Sequence, residues 1–366
     1  MRETSLAERL IAYETSTLEG MRAAAEFVKG WLEARDVEVA DFVHNERPLL
    51  AATVGAEDWP TVVLHGHLDV VPAPPEQFRP RTDGDRLVGR GAYDMKGALA
   101  AMMYAIRDLA DQRGVRVRFL CVSDEESDEA GVRASDVLVE RGYRGDFAIT
   151  GEPTELRIGV QAKGVLGVRL EVTGKAAHGS TPWLGDNAVV KALETYERIR
   201  ALPFARESSE LFDRPSINLG RIVGGDALNK VPDRCVIDVD IRYLPGQDPG
   251  EICAAIAALP EVSASELIHR DPVIVDAANP FVRTLAEVVA REMEAERVSV
   301  GRDGASDVVS FLDAGVPAVE FGPRGGGHHG PDEWVSISSL ERYGRALVEF
   351  VRLVPERIGR PRLHVA

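Results

Sequence analysis

The sequence predicts an α/β protein in which alternating strands and helices are interrupted by a smaller unit of order βαββαβ. Three features carry this reading. Short β-branched runs bounded by Gly and Pro alternate with helical periods as far as Thr150, the segment from about Gly164 shifts to paired strands with two helices, and the first pattern resumes after Asn279. At 366 residues the chain exceeds one average domain of roughly 100–200 residues, so two domains are expected.

Residues 5–35 read as helices, because Leu6, Leu10 and Ile11 share one stripe and Ala23, Phe27, Val28 and Leu32 another. Leu49 to Val54 and Thr61 to Leu64 have the pattern of buried strands, and Gly97 to Leu109 returns to a helical period. A strand over Val115 to Val122, a helix over 131–141 and a strand over Phe147 to Thr150 follow. Then come strand 164–173, helix 186–202, strands 216–223 and 233–243, helix 249–258 and strand 262–269, the order of a ferredoxin-like split βαβ unit. Helix 281–295, strand 316–321 and helix 337–352 complete the chain, so residues 164–276 read as an insertion between 1–163 and 277–366.

Composition narrows the function classes. With 43 basic against 59 acidic side chains the formal charge is −16, a field that repels nucleic acid and anionic membranes. The longest apolar runs, such as Ala98 to Ile106, are about half a membrane span. The opening Met1-Arg2-Glu3-Thr4-Ser5 has no apolar stretch of a signal peptide, which makes a cytoplasmic address the expectation. Cys121, Cys235 and Cys253 are widely spaced and form no CxxC pair, so a metal would have to be held by His and carboxylates.

Polar residues gather at predicted strand ends. In His65-Gly66-His67-Leu68-Asp69 the alternate residues share a face, which offers imidazole and carboxylate together for a metal, or else a buried hydrogen-bonded cluster. Gly89-Arg90-Gly91-Ala92-Tyr93-Asp94-Met95-Lys96-Gly97 lacks the third glycine of a dinucleotide loop; its Asp94 is either a helix cap or a carboxylate between two cations. Ser123-Asp124-Glu125-Glu126-Ser127-Asp128-Glu129 reads as solvated charge or as a pair of diverging acids, one reaching a metal and its neighbour taking a proton from water. Thr150-Gly151-Glu152 ends the next strand, and Gly325-Gly326-Gly327-His328-His329-Gly330 sets two imidazoles in a loop whose glycines let backbone N–H groups approach a ligand.

Taken together, HGHLDVVP, GRGAYDMKG, SDEES, GEPT, AAHGSTP, GASD and HHGPDE resemble the dizinc family of acetylornithine deacetylase, succinyl-diaminopimelate desuccinylase, aminoacylase and glutamate carboxypeptidase, over about residues 60 to 335. The resemblance implies a catalytic domain with a mixed sheet flanked by helices, interrupted by a lid domain that often forms a homodimer contact. It implies that His67 and Glu152 hold one metal, Glu126 and His329 the second, and Asp94 both, with Asp69 supporting His67 and Glu125 as general base. His329 is preferred over His328 by its spacing to Glu333, His328 departs from the more usual residue, and His65 falls at a variable, structural position. In the insertion His178 resembles an oxyanion donor that in several members reaches the neighbouring protomer, while Asn229 and Arg242 resemble residues that grip a substrate carboxylate. Gly326 is expected in the same substrate pocket, and Asp307 either near the substrate or capping a helix.

The implied cofactors are two divalent cations, zinc first, with cobalt or manganese admissible for the same donors. The implied partner is a small substrate with a free carboxylate. An N-acyl-amino-acid deacylase leads, a carboxypeptidase or dipeptidase is the second enzyme reading, and a metal-binding protein without turnover the third.

Overall fold

The computed structural model describes residues 2–126, 132–293, 298–304 and 306–359; Ser127, Asp128 and Glu129 of the acidic run, Gly131 at the start of the expected helix and Ala305 lie outside the described residues. The chain divides into two compact units, one joining the residues up to Val160 with Val275–Val300 and the segment from Ser306, the other built on Gln161–Ile274 with the short segment from Gly301.

In the larger unit a mixed sheet runs Val39–His44, Arg47–Val54, Arg116–Val122, Thr61–His67, Phe147–Thr150, Ala318–Phe321 and Ile158–Ala162. Its four inner strands, from Arg116–Val122 to Ala318–Phe321, are parallel, and antiparallel strands flank them. Thr61–His67 is buried along its whole length because helices cover both faces. On one face Gly66 and Gly151 admit the helix Gly97–Asp108 and the turn before it: a Cβ on Gly66 would sit 2.6 Å from Met95 Cε and 3.2 Å from Leu99 Cδ1, and one on Gly151 2.9 Å from Met102 Cε. On the other face His65 meets the ring of Phe311, in the helix Val308–Asp313, edge-on at 5.3 Å between centroids. A separate small sheet joins Arg81–Asp83 and Arg86–Val88 to Trp334–Ser336 and Gly325–Gly326.

The smaller unit is a four-stranded antiparallel sheet in the order Ser216–Gly224, Arg234–Tyr243, Gly164–Thr173, Val262–Arg270, the strand order of a ferredoxin-like unit. Leu166, Val168, Leu170 and Val172 alternate with polar neighbours and pack with Cys235, Ile237, Val239 and Ile241 against Ala188, Ala192 and Ile199 of the helix Ala188–Arg200 and Ile252 and Ile256 of the helix Pro249–Ala257. Cys121 and Cys235 are buried and Cys253 half-buried, all as free thiols. Among the described residues no helix is long and apolar enough to cross a membrane.

Candidate metal centre

Three strand ends and two loops of the larger unit deliver the expected side chains to one place. His67 closes Thr61–His67, Glu125 and Glu126 follow Arg116–Val122, and Glu152 follows Phe147–Thr150. These strands are parallel neighbours, so their carboxyl ends share one edge of the sheet, where ligands of open α/β sheets bind. Asp94 enters from the turn Ala92–Lys96, and the helix Gly97–Asp108 that follows has Lys96 at its N-cap, so Asp94 does not cap it.

The carboxylate of Asp94 faces two ways. Its Oδ1 lies 3.0 Å from His67 Nε2, which is 3.9 Å from Glu152 Oε1. Its Oδ2 lies 3.6 Å from His329 Nε2, which is 2.9 Å from Glu126 Oε1. Donor atoms of His67, Asp94 and Glu152 fall within 4.8 Å of one another, as do those of His67, Glu125 and Glu126. A third set unites Asp94, His328 and His329, because His328 Nε2 approaches Asp94 Oδ2 to 2.5 Å. His328 is the imidazole that spacing set aside, and only the loop conformation brings it here.

Support for His67 takes a different route from the expected one. Its Nδ1 lies 3.0 Å from the main-chain carbonyl of Asp69 and 3.7 Å from the Asp69 carboxylate, whose Oδ2 instead accepts the N–H of Glu126 at 2.9 Å. Asp69 therefore orients His67 through its backbone and Glu126 through its side chain.

Asp307 departs from the expectation of a helix cap. Its carboxylate is fully buried and makes no capping bond to the helix Val308–Asp313. Ser135 Oγ donates to its Oδ2 at 2.7 Å and Arg133 Nη1 to its Oδ1 at 3.1 Å, so each oxygen already has a protein donor. His65 completes this network with Nε2 at 2.9 Å from Ser135 Oγ, and burial pushes its pKa down to about 4, which keeps it neutral.

The donors fit cations on their own chemistry. Glu152 Oε1 and Asp69 Oδ1 are buried without a hydrogen-bond partner, a costly state for a carboxylate oxygen that a positive ion would relieve. Burial and the charge of Asp94 push Glu152 well above the usual carboxylate range. Burial also pushes Glu125 up to about 8, with Asp307, Asp94 and Glu126 adding to the rise and His67 opposing it. Burial works upward on Asp94 too, but hydrogen bonds from His328, His329 and His67 overcome it and hold this carboxyl well below its ordinary value. Crowded carboxylates with imidazoles and no thiolate are the donor set of zinc, cobalt or manganese.

The family model described as peptidase family M20/M25/M40 matches residues 63–353. The chain belongs to this family. Among its relatives, a succinyl-diaminopimelate desuccinylase of Stenotrophomonas maltophilia is 32% identical over 77% of this chain and 80% of its own. A Pyrobaculum aerophilum protein named LysW-lysine/LysW-ornithine hydrolase is 32% identical over 91% and 94%. Among solved structures, the family's metallo-carboxypeptidase from Sulfolobus solfataricus superposes with a TM-score of 0.74 at 20% identity, covering 97% of this chain and 100% of that one, which is a likeness of fold. Membership makes the protein a metal-dependent amidohydrolase.

Family motifs also lie in the smaller unit. His178 is exposed there, and its Nδ1 accepts the N–H of Ser180 at 3.1 Å with the Ser180 hydroxyl at 2.8 Å, which leaves Nε2 as the protonated, outward nitrogen. Gly179 donates to the carbonyl of Asn229 at 2.7 Å, so His178 and Asn229 sit on adjoining loops. Arg242 is half-buried on Arg234–Tyr243 with Nε 3.1 Å from Asp240. Gly326 belongs to the larger unit, half-buried opposite Trp334 in the small sheet.

Glu333 and Arg90, which hydrogen-bond to the segments bearing Asp94 and His329, are not singled out by the sequence. Glu333 served there only as a ruler for His329, and Arg90 only as part of a glycine-rich loop. The signal available was an acid held at fixed spacing after a candidate ligand.

Proposed function

We propose that the chain hydrolyses the amide bond of a small N-acyl amino acid, of the deacetylase or desuccinylase kind, with two divalent cations. The observation that carries this reading is the divergence of the Asp94 carboxylate, one oxygen toward His67 and Glu152, the other toward His329 and Glu126. In this reading His67, Glu152 and Asp94 hold one cation and Asp94, Glu126 and His329 the other, with zinc as the first choice. Such a pair, when bound, lowers the pKa of a water and polarises a scissile carbonyl. Glu125, which this reading assigns to neither cation, is the base that takes the attacking water's proton and returns it to the departing amine. His178 offers its Nε2–H to the developing oxyanion, and Arg242, Asn229 and Gly326 are the candidates for the substrate carboxylate, with the guanidinium of Arg242 first among them. Asn229 lies in the loop that leads into Arg234–Tyr243 and Arg242 near the far end of that strand, so the two occupy opposite ends of it.

A homodimer through the smaller unit belongs to the same proposal. Ile222 and Val223 are exposed on Ser216–Gly224, a strand at the edge of its sheet, and Val190 and Leu193 are exposed on the helix Ala188–Arg200. Apolar side chains beside an open strand edge favour association.

A panel of N-acetyl and N-succinyl amino acids and unmodified dipeptides, offered to protein reconstituted with zinc or cobalt, tests the substrate class. The expected result is turnover of an acylated amino acid at higher kcat/KM than any dipeptide. Preference for dipeptides would move the assignment to the carboxypeptidase or dipeptidase reading, which also uses Arg242 for a terminal carboxylate.

A further inference from the structure

Arg90 and Glu333 form a buried ion pair that the reaction itself does not use, 3% and 1% exposed and 2.6 Å apart. The Glu333 carboxylate accepts four donors, and all of them come from one loop. Arg90 Nη1 and the N–H of Gly91 at 3.0 Å meet Oε2, and the N–H groups of Tyr93 and Asp94, each at 3.0 Å, meet Oε1. The main-chain carbonyl of Glu333 takes a further bond from Gly89 N–H at 2.9 Å. Arg90 then spends its remaining reach elsewhere: Nη2 donates to the carbonyls of His329 at 3.0 Å and Gly330 at 3.2 Å.

Two loops distant in sequence are thereby bracketed together, one bearing Asp94 and the other His329. The second loop needs holding, because His329 has φ 56°, in the left-handed region that a residue with a side chain adopts only when its surroundings impose it. His67 and Glu152, by contrast, stand at the ends of central strands and take their positions from the sheet.

We propose that Glu333 and Arg90 are positioning residues that set the separation of Asp94 from His329 and so govern chiefly the affinity of the cation of Asp94, Glu126 and His329, the cation of His67 and Glu152 being affected less because two of its three ligands are held by the sheet. The inference rests on the two-cation reading. Burial of an ion pair is a weak source of net stability, so four donors drawn from a single loop point to geometry rather than to stability as its task. Second-shell partners of metal ligands typically change affinity by about 10–100-fold when lost, which is the size of effect expected here.

Cobalt titration of the metal-free full chain, followed by calorimetry and by the visible absorption of the bound ion, tests it. Wild type is expected to bind two ions per chain. Glu333→Gln keeps the shape but turns an amide N–H₂ toward N–H donors, and should bind one ion within about threefold of wild type and the other at least tenfold more weakly, with an altered cobalt spectrum for that step. Arg90→Lys keeps the buried charge but loses the fork to His329 and Gly330, and should reproduce the selective loss even if Glu333→Gln does not fold by circular dichroism. Two ions bound by the folded variants as in wild type, or both weakened equally, would overturn the positioning role. Fewer than two ions on wild type would instead overturn the two-cation reading and the inference with it.

Discussion

Glu125 and Glu126 are adjacent in a turn after the strand Arg116–Val122, and their carboxylates take different partners. Glu126 Oε1 reaches His329 Nε2 at 2.9 Å, while Glu125 Oε1 lies 4.0 Å from Arg133 Nη1, itself anchored on Asp307. Glu125→Gln should therefore keep the metal content and lower kcat by about 10²–10⁴-fold, the usual share of a general base, as metal analysis and steady-state kinetics will read. The same substitution reports on burial in the metal-free protein. The Glu125 carboxyl is raised in the fold from an ordinary 4.5 to about 8, so its stabilising contribution is fully present below pH 4.5 and is lost as pH rises through about 8. Gln cannot ionise, so the Tm of metal-free Glu125→Gln relative to metal-free wild type should climb between pH 5 and pH 8. A difference that stays flat across that window would deny Glu125 its buried setting. At this scale the residue types were legible, since His67, Asp94, Glu125, Glu126, Glu152 and His329 all converge. Which nitrogen or oxygen meets which was not legible, as Asp69 shows by passing its carboxylate to Glu126 and only its carbonyl to His67.

Elements with a full period were readable close to their ends. The expected strand 164–173 forms Gly164–Thr173, the expected helix 249–258 forms Pro249–Ala257, and helix 337–352 extends to Arg357. The helix expected over 186–202 forms Ala188–Arg200, and its start has a local cause: the Asn187 side chain accepts from Val189 N at 2.9 Å and Val190 N at 3.3 Å. Asn187→Ala should cost about 1 kcal/mol, the worth of an N-cap, seen as a lower denaturation midpoint with an unchanged m-value. The small sheet of Arg81–Asp83, Arg86–Val88, Gly325–Gly326 and Trp334–Ser336 gave no such warning. Strands of two or three residues contain too little alternation to register, and one of the three pairings joins segments remote in sequence.

For the molecule as a whole, the open edge strand Ser216–Gly224 is the feature that bears on assembly. Val223→Lys places a charge on that edge and should shift the protein from dimer to monomer in light scattering after size exclusion, with the circular dichroism of the fold retained. A wild-type chain that is monomeric at micromolar concentration would refute association through this edge. The sequence by itself determined the fold class, the order of the smaller unit and the residue types at the strand ends, because periodicity and strand-end chemistry are local. Tertiary structure alone decided that His328 reaches Asp94, that Asp307 is buried in a network with Ser135 and Arg133, and that Arg90 and Glu333 bind two loops together. The physical reason is that these contacts join loops, whose paths obey no repeat and are set by where the chain returns after more than a hundred intervening residues.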